Sequence, residues 1–219
     1  MIIVGICGGS GSGKSTFAER IRDGLSCSCE IMRLDCYYFD QGGKPFEERT
    51  KVNYDSPKIF DFDEMLADIR LLIDGKPVTR KGYNYVEHRR DDSEELMYPP
   101  EVLIIEGIHV FYDDRICDIM NLKLFIKVDS DICLLRRIAR DMNERGRSLE
   151  SISEQYKATV KPMREKYIDR YIDKADVVVM RGGMNEQALK TTISYLKSCV
   201  KEQRLAESEK NESDGNDSE

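Results

Sequence analysis

Gly8-Gly9-Ser10-Gly11-Ser12-Gly13-Lys14-Ser15 is the stretch on which the fold turns. Its glycines let the backbone wrap a phosphate with the N–H groups pointing inward. Ile2 to Cys7, just before it, is a short apolar run rich in β-branched residues, the pattern of a strand buried on both faces. After it, Phe17, Ala18, Ile21 and Leu25 fall at helical spacing, so Ser15 to Leu25 is expected to be a helix that adds its N-terminal dipole to the cradle. The spacing G-x-x-x-x-G-K-[ST] assigns Lys14 to the β- and γ-phosphates of a nucleoside triphosphate and the Ser15 hydroxyl to Mg²⁺. Thr16 is counted with Gly8 to Ser15 as a nucleotide contact.

Outward from the cradle, short apolar runs alternate with helical ones. Strands are expected at 30–35, 102–106, 122–128 and 177–180. Helices are expected at 60–73, 132–145, 148–171 (despite Pro162) and 185–200. The alternation predicts an α/β protein with a mainly parallel five-stranded sheet and helices on both faces. Gly75 to Pro100 breaks the rhythm with Tyr83, Tyr85 and Tyr98 between prolines, and reads as an inserted hairpin or lid. One domain is expected over residues 1–205.

The chain has 219 residues, 40% hydrophobic and 34% charged, enough for one domain with its own core. No stretch approaches the roughly 20 apolar residues that cross a bilayer. No basic leader precedes Ile2, and the expectation is a cytoplasmic protein. Of the seven cysteines, Cys7, Cys36, Cys117 and Cys133 sit singly and are expected as reduced thiols. Cys27 and Cys29 lack the second pair or histidine cluster of a zinc site. Of the net charge of −7, residues 206–219 carry −5, from six acids and Lys210. That segment is expected to be a disordered acidic tail. The remaining near-neutral body argues against a nucleic-acid surface, so an anionic substrate must be met by local basic clusters.

Two such features stand out. Asp35 and Glu106 end predicted strands, where α/β sheets carry their working groups. Either could sit beside the cradle: Asp35 as proton acceptor or metal ligand, Glu106 as a holder of Mg²⁺ or its water. Residues 136–147 read RRIARDMNERGR, which places Arg136, Arg137, Arg140, Arg145 and Arg147 within twelve positions. Arg137 and Asp141 share a helical face. Gly146 is expected to end the helix and free its flanking arginines to form a lid over a transferring phosphoryl group.

With these blocks in order, the chain resembles the uridine-cytidine kinases, in the phosphoribulokinase/uridine kinase branch of the P-loop kinases. The resemblance runs from about Ile2 to Leu196. It rests on GGSGSGKST (8–16), LDCYYF (34–39), NYDSPKIFDFD (53–63), YNYVEHRR (83–90), IIEGIHVF (104–111), VDSDICLLRRIARDMNERGRSLESISEQY (128–156) and ADVVVMRGG (175–183). It implies a P-loop NTPase fold and transfer of the γ-phosphoryl of ATP to the 5′-hydroxyl of uridine or cytidine, with Mg²⁺, in pyrimidine salvage. It implies Asp35 as the base and Asp55 and Arg137 on the ribose hydroxyls. Tyr83, Tyr85 and His88 would frame the base, Tyr38 would line the pocket, and Gln155 would touch the nucleoside. Arg140, Arg145 and Arg147 would form the phosphate-side lid, Arg147 also reaching the substrate. Family members are typically cytosolic tetramers, which implies a homo-oligomer.

Read from the residues alone, Tyr83 and Tyr85 alternate on one strand face and could stack a flat base. Asn84, Cys133 and Met180 depart from the family pattern, at an acidic, an arginine and a proline position. Two other readings stand beside the nucleoside kinase. One is a related kinase for another small alcohol, such as a sugar phosphate or pantothenate. The other is a nucleotide-binding module without catalysis, in which Asp35 would have no purpose.

Overall fold

A computed structural model describes residues 1–216, with side-chain surroundings through residue 209. Five strands form one sheet in the order β2-β5-β1-β6-β7. They are β1 (Ile2–Cys7), β2 (Cys29–Arg33), β5 (Val102–Gly107), β6 (Leu122–Lys127) and β7 (Val177–Met180), and every pairing is parallel. The fold is that of a P-loop NTPase. Every residue of β1 and of β5 is buried, which explains why both runs are apolar without alternation.

Helix α1 (Lys14–Gly24) packs Phe17, Ala18 and Ile21 onto one face of the sheet, beside Leu189, Leu196 and Val200 of the last helix, α8 (Glu186–Asn216). The other face is covered by α3 (Phe62–Ile73), which follows the single turn α2 (Phe46–Arg49). The Asp61 side chain accepts from the Glu64 N–H and caps α3, while Met65, Leu66, Ile69 and Leu72 point inward. Each such buried side chain contributes roughly 1.5–3 kcal/mol.

The insertion is the antiparallel hairpin β3 (Val78–Asn84) and β4 (Arg89–Met97). It is pinned to the body. The Arg80 Nη1 donates to the Ile31 carbonyl at 2.7 Å, and the Arg90 guanidinium reaches Glu64 and the Tyr38 carbonyl at 2.8 Å each. Asn84 Oδ1 accepts from the Val86 and Glu87 N–H groups at 3.0 and 2.9 Å, so this departure from the family pattern builds the hairpin turn.

Beyond the single turn α4 (Asp114–Cys117) and β6 lies α5 (Ser130–Arg145), which ends at Gly146 in the left-handed region, φ 62°. The stretch expected to be helical over 148–171 is helical in four pieces: α6 (Leu149–Gln155), a π-turn (Tyr156–Val160), α7 (Lys161–Lys166) and a 3₁₀ run (Ile168–Lys174). Pro162 has no N–H to donate, and the wider turn just before it absorbs the loss. At the C-terminus, α8 runs to Asn216, through most of the segment whose composition reads as disorder. A helix already nucleated on α1 needs only propagation, and Glu, Lys and Gln propagate well. The Gln203 amide reaches Glu207 at 2.9 Å. Residues 217–219 lie outside the described residues. All seven cysteines are free; Cys7, Cys117 and Cys133 are buried, whereas Cys36 is half-buried.

Candidate active site

The sheet register decides what meets the cradle. Ile6 pairs with Glu106 and Cys7 with Gly107, while Arg33 pairs with Glu106 from the other side. The carboxyl ends of β1, β5 and β2 therefore open together onto one cleft of about 270 Å³. Lys14, Ser15, Asp35, Asp55 and Glu106 all line it, with Tyr38, Tyr83, Tyr85, His88, Arg137, Arg140, Arg145, Arg147 and Gln155.

Gly8 to Gly13 connect β1 to α1. Gly13 is the N-cap at φ 92°, and a Cβ on Gly11 (φ 83°) would lie 2.4 Å from the Cys133 carbonyl, so neither position admits a side chain. Gly9 and Ser10 form the outer turn; Arg164 covers Gly9, and Ser10 Oγ accepts from Arg137 Nη1 at 3.1 Å. Ser12 is buried, whereas Thr16 is exposed on the first turn of α1. Lys14 lies across the loop, its ammonium 3.4 Å from the Gly9 carbonyl. Ser15 Oγ donates to Glu106 Oε1 at 2.9 Å. Glu106 is buried, and burial raises its pKa against the pull of Lys14. These are hard oxygen donors, and they fit Mg²⁺, which keeps waters and takes phosphate oxygens rather than a full protein cage. Among the described residues, no three His, Cys, Asp or Glu side chains converge as a metal site of their own.

Asp35 sits on a 3₁₀ turn (Leu34–Tyr37), because β2 stops at Arg33, two residues before the expected end. The turn swings Asp35 into the cleft, where Tyr85 OH donates to its Oδ2 at 2.7 Å. The Asp35 charge holds the Tyr85 phenol in its protonated, donating form. Tyr85 itself lies past the end of β3, its ring edge-on to Tyr83 at 5.2 Å and 78°, with the Arg145 guanidinium 4.1 Å above it. The two tyrosines therefore do not share one flat face as their alternation predicts. Tyr83 belongs to an aromatic cluster with Tyr38 and Tyr54, and Tyr85 serves Asp35. His88, in a left-handed turn conformation (φ 51°), stacks on Tyr54 at 5.1 Å. Burial, and then Arg147 and Arg145, lower its pKa, so the ring is neutral at pH 7, with one donor and one acceptor.

Asp55 is buried opposite Arg137, their charged atoms 3.8 Å apart, and Thr159 Oγ1 donates to its Oδ2 at 3.2 Å. Burial raises the Asp55 pKa, with Arg137 opposing. Gln155 Oε1 accepts from Arg137 Nη2 at 2.8 Å and from Arg147 Nη1 at 2.5 Å.

Sequence reasoning missed the hub of the arginine cluster. Asp141 is fully buried, with charged nitrogens of Arg140, Arg145, Arg137 and Arg147 at 2.8, 3.2, 3.5 and 3.9 Å. The signal was present in the (i, i+4) spacing of Arg137 and Asp141 and of Asp141 and Arg145. No local pattern brings Arg33 and Tyr54 to the cleft, or sets Thr159 against Asp55 and Arg164 over Gly9.

A triphosphate cradle facing a carboxylate across one cleft is the working arrangement of a P-loop phosphotransferase. The sequence pattern described as "Phosphoribulokinase / Uridine kinase family" matches residues 3–188, and the chain belongs to that family. Over 201 residues, 91% of this chain and 94% of the relative, it is 41% identical to a uridine kinase of Ligilactobacillus salivarius (strain UCC118). A uridine kinase of Streptococcus gordonii (strain Challis) is 41% identical over 204 residues, 93% of this chain and 97% of that one. Among solved structures, the phosphoribulokinase of Rhodobacter spheroides shares the fold at a TM-score of 0.59 and 13% identity, over 82% of this chain and 69% of that one.

Proposed function

We propose that the protein transfers the γ-phosphoryl group of ATP to the 5′-hydroxyl of uridine or cytidine, giving the 5′-monophosphate and ADP. The observation that carries this reading is one cleft holding both the cradle with Asp35 and, further in, the buried Asp55–Arg137 pair. Asp35 accepts the proton of the 5′-hydroxyl as the oxygen attacks, and Tyr85 holds the carboxylate in place. Lys14, Arg140 and Arg145 neutralise charge spread over the phosphoryl oxygens. Asp55 and Arg137 take the ribose diol. A substrate lacking those hydroxyls forfeits its hydrogen bonds to this buried pair and is disfavoured. Tyr83 and the neutral His88 frame the base, with Tyr38 behind them and Arg147 and Gln155 closing over the nucleoside.

Ser15, Glu106 and Asp35 would hold Mg²⁺, which when bound would supply positive charge to the phosphoryl oxygens. Residues 1–205 form the kinase unit in this reading, with 75–100 as the substrate hairpin and 136–147 as the lid. Family resemblance adds a homo-oligomer, a tetramer, in the cytoplasm. Among the described residues, no helix is long and apolar enough to cross a membrane.

The test is a panel of nucleosides and small alcohols with ATP and Mg²⁺. Uridine and cytidine are expected to yield monophosphate and ADP. ADP release with sugar phosphates or pantothenate and not with nucleosides refutes the acceptor. Tight nucleotide binding without turnover of any alcohol refutes the enzyme.

A further inference from the structure

His109 has no part in the reaction as derived, yet it is fully buried two residues beyond the end of β5, the strand that carries Glu106. Its Nε2 lies 2.7 Å from the Asp55 carbonyl and its Nδ1 lies 2.9 Å from the Tyr171 hydroxyl. A carbonyl oxygen only accepts, so Nε2 carries the hydrogen. A neutral imidazole has one N–H, so Nδ1 accepts from Tyr171. Burial lowers the His109 pKa to about 4, while the Asp55 carbonyl and the Asp35 charge push it up and Lys14 pushes it down. The rings of Phe60, Tyr112, Tyr167 and Tyr171 meet the imidazole edge-on at 5.8–6.4 Å and confine its orientation.

We infer that His109 is a positioning residue for sugar recognition, holding the backbone of Asp55 so that its carboxylate meets the ribose diol. The inference rests on the nucleoside-kinase reading. Asp55 is anchored at each of its polar groups. Its N–H donates to Asn53 Oδ1 at 3.1 Å, its carbonyl accepts from His109, and its carboxylate faces Thr159 and Arg137. The His109 anchor joins three stretches of chain that share no local signal: the loop bearing Asp55, the turn after Glu106, and the 3₁₀ run bearing Tyr171. One turn of chain thus serves the metal side and the sugar side of the cleft together.

Three variants test this. His109→Leu keeps an apolar body and removes the donor; His109→Gln returns an N–H near the Nε2 position; Tyr171→Phe removes the hydroxyl that Nδ1 accepts from. His109→Leu is expected to raise KM for uridine about tenfold, the effect of one buried carbonyl left unpaired. The ATP KM and kcat should stay within about twofold. His109→Gln should recover most of the loss, and Tyr171→Phe should raise the uridine KM severalfold. Equal effects on both substrates, or no recovery with Gln, would overturn the inference and leave His109 as core packing. The chain has two histidines, so long-range ¹H–¹⁵N spectra of the wild-type protein can be assigned with His88→Ala. They should show an Nε2–H tautomer for His109 with no titration between pH 5.5 and 8. An Nδ1–H tautomer would sink the inference independently of turnover. Failure of the wild-type protein to phosphorylate any ribonucleoside would refute the acceptor reading instead.

Discussion

Replacing Asp141 by Asn keeps its shape and removes one negative charge from the middle of four guanidiniums. Those lie 2.8–3.9 Å away, and the carboxylate they share is fully buried. At an effective dielectric of about 20, one pair at 4 Å interacts by roughly 4 kcal/mol before desolvation is counted. Arg140, Arg145 and Arg147 are each partly in water, so their pairs are screened. The Arg137 pair is not, with both side chains under one-tenth exposed. Removing one partner of such a buried pair costs about 3–5 kcal/mol. For a domain of this size that is a fall in Tm of roughly 6–20 °C. The loss should be smaller with ATP bound, because the triphosphate replaces the missing negative charge. Thermal melts of wild type and Asp141→Asn, with and without saturating Mg²⁺–ATP, read this directly. By linkage the variant then binds Mg²⁺–ATP more tightly, so its ligand-induced rise in Tm should be the larger one. A fall of under 2 °C, or a ligand-induced rise no larger than that of wild type, would refute Asp141 as the hub of the cluster.

Asp35→Asn should lower kcat by about 10²–10⁴, the usual span for a general base, while ATP binding survives; lost ATP binding would make Asp35 a metal or structural residue. For Asp55 the folded-state pKa is raised, so the folded protein holds that proton more tightly than the unfolded chain. Ionising it therefore costs stability as pH rises through the raised value, yet diol recognition needs the ionised form. The acid limb of kcat/KM for uridine should then lie above the ordinary aspartate value and should move to lower pH in Asp55→Asn. A limb at or below the ordinary value would contradict this assignment. His88→Ala should raise the nucleoside KM with little change in the ATP KM, and equal changes would detach His88 from the base.

The cradle was legible because its chemistry is local: eight consecutive residues, a buried strand before them and an amphipathic helix after. The hairpin was legible because Gly75 to Pro100 interrupts the alternation. The place of Asp35 near a strand end was legible, but not its 3₁₀ turn or its Tyr85 partner, fifty residues away in the chain. Asp141 was visible only as half of an (i, i+4) pair, since its convergence with Arg147 requires Gly146 to turn the chain back. His109 left no trace at all, because its meaning lies in a carbonyl 54 positions earlier and a hydroxyl 62 positions later. Helical periodicity could not foresee the π-turn at 156–160.

The contact between Gly11 and the Cys133 carbonyl has a mechanical consequence. A Cβ built on Gly11 would come within 2.4 Å of that oxygen, so the phosphate loop and the first turns of α5 touch backbone to backbone. The arginine-bearing helix is thus joined at its N-terminal end directly to the nucleotide cradle. The space lies at the far end, at Gly146, where a Cβ would meet nothing within 4 Å. Arg145 and Arg147 flank that end and are tied to Asp141, Arg147 also to Gln155, while Arg137, nearer the joined end, stays beside Ser10. At φ 62° an alanine is strained, so Gly146→Ala should destabilise that end of the helix and leave the joined end untouched.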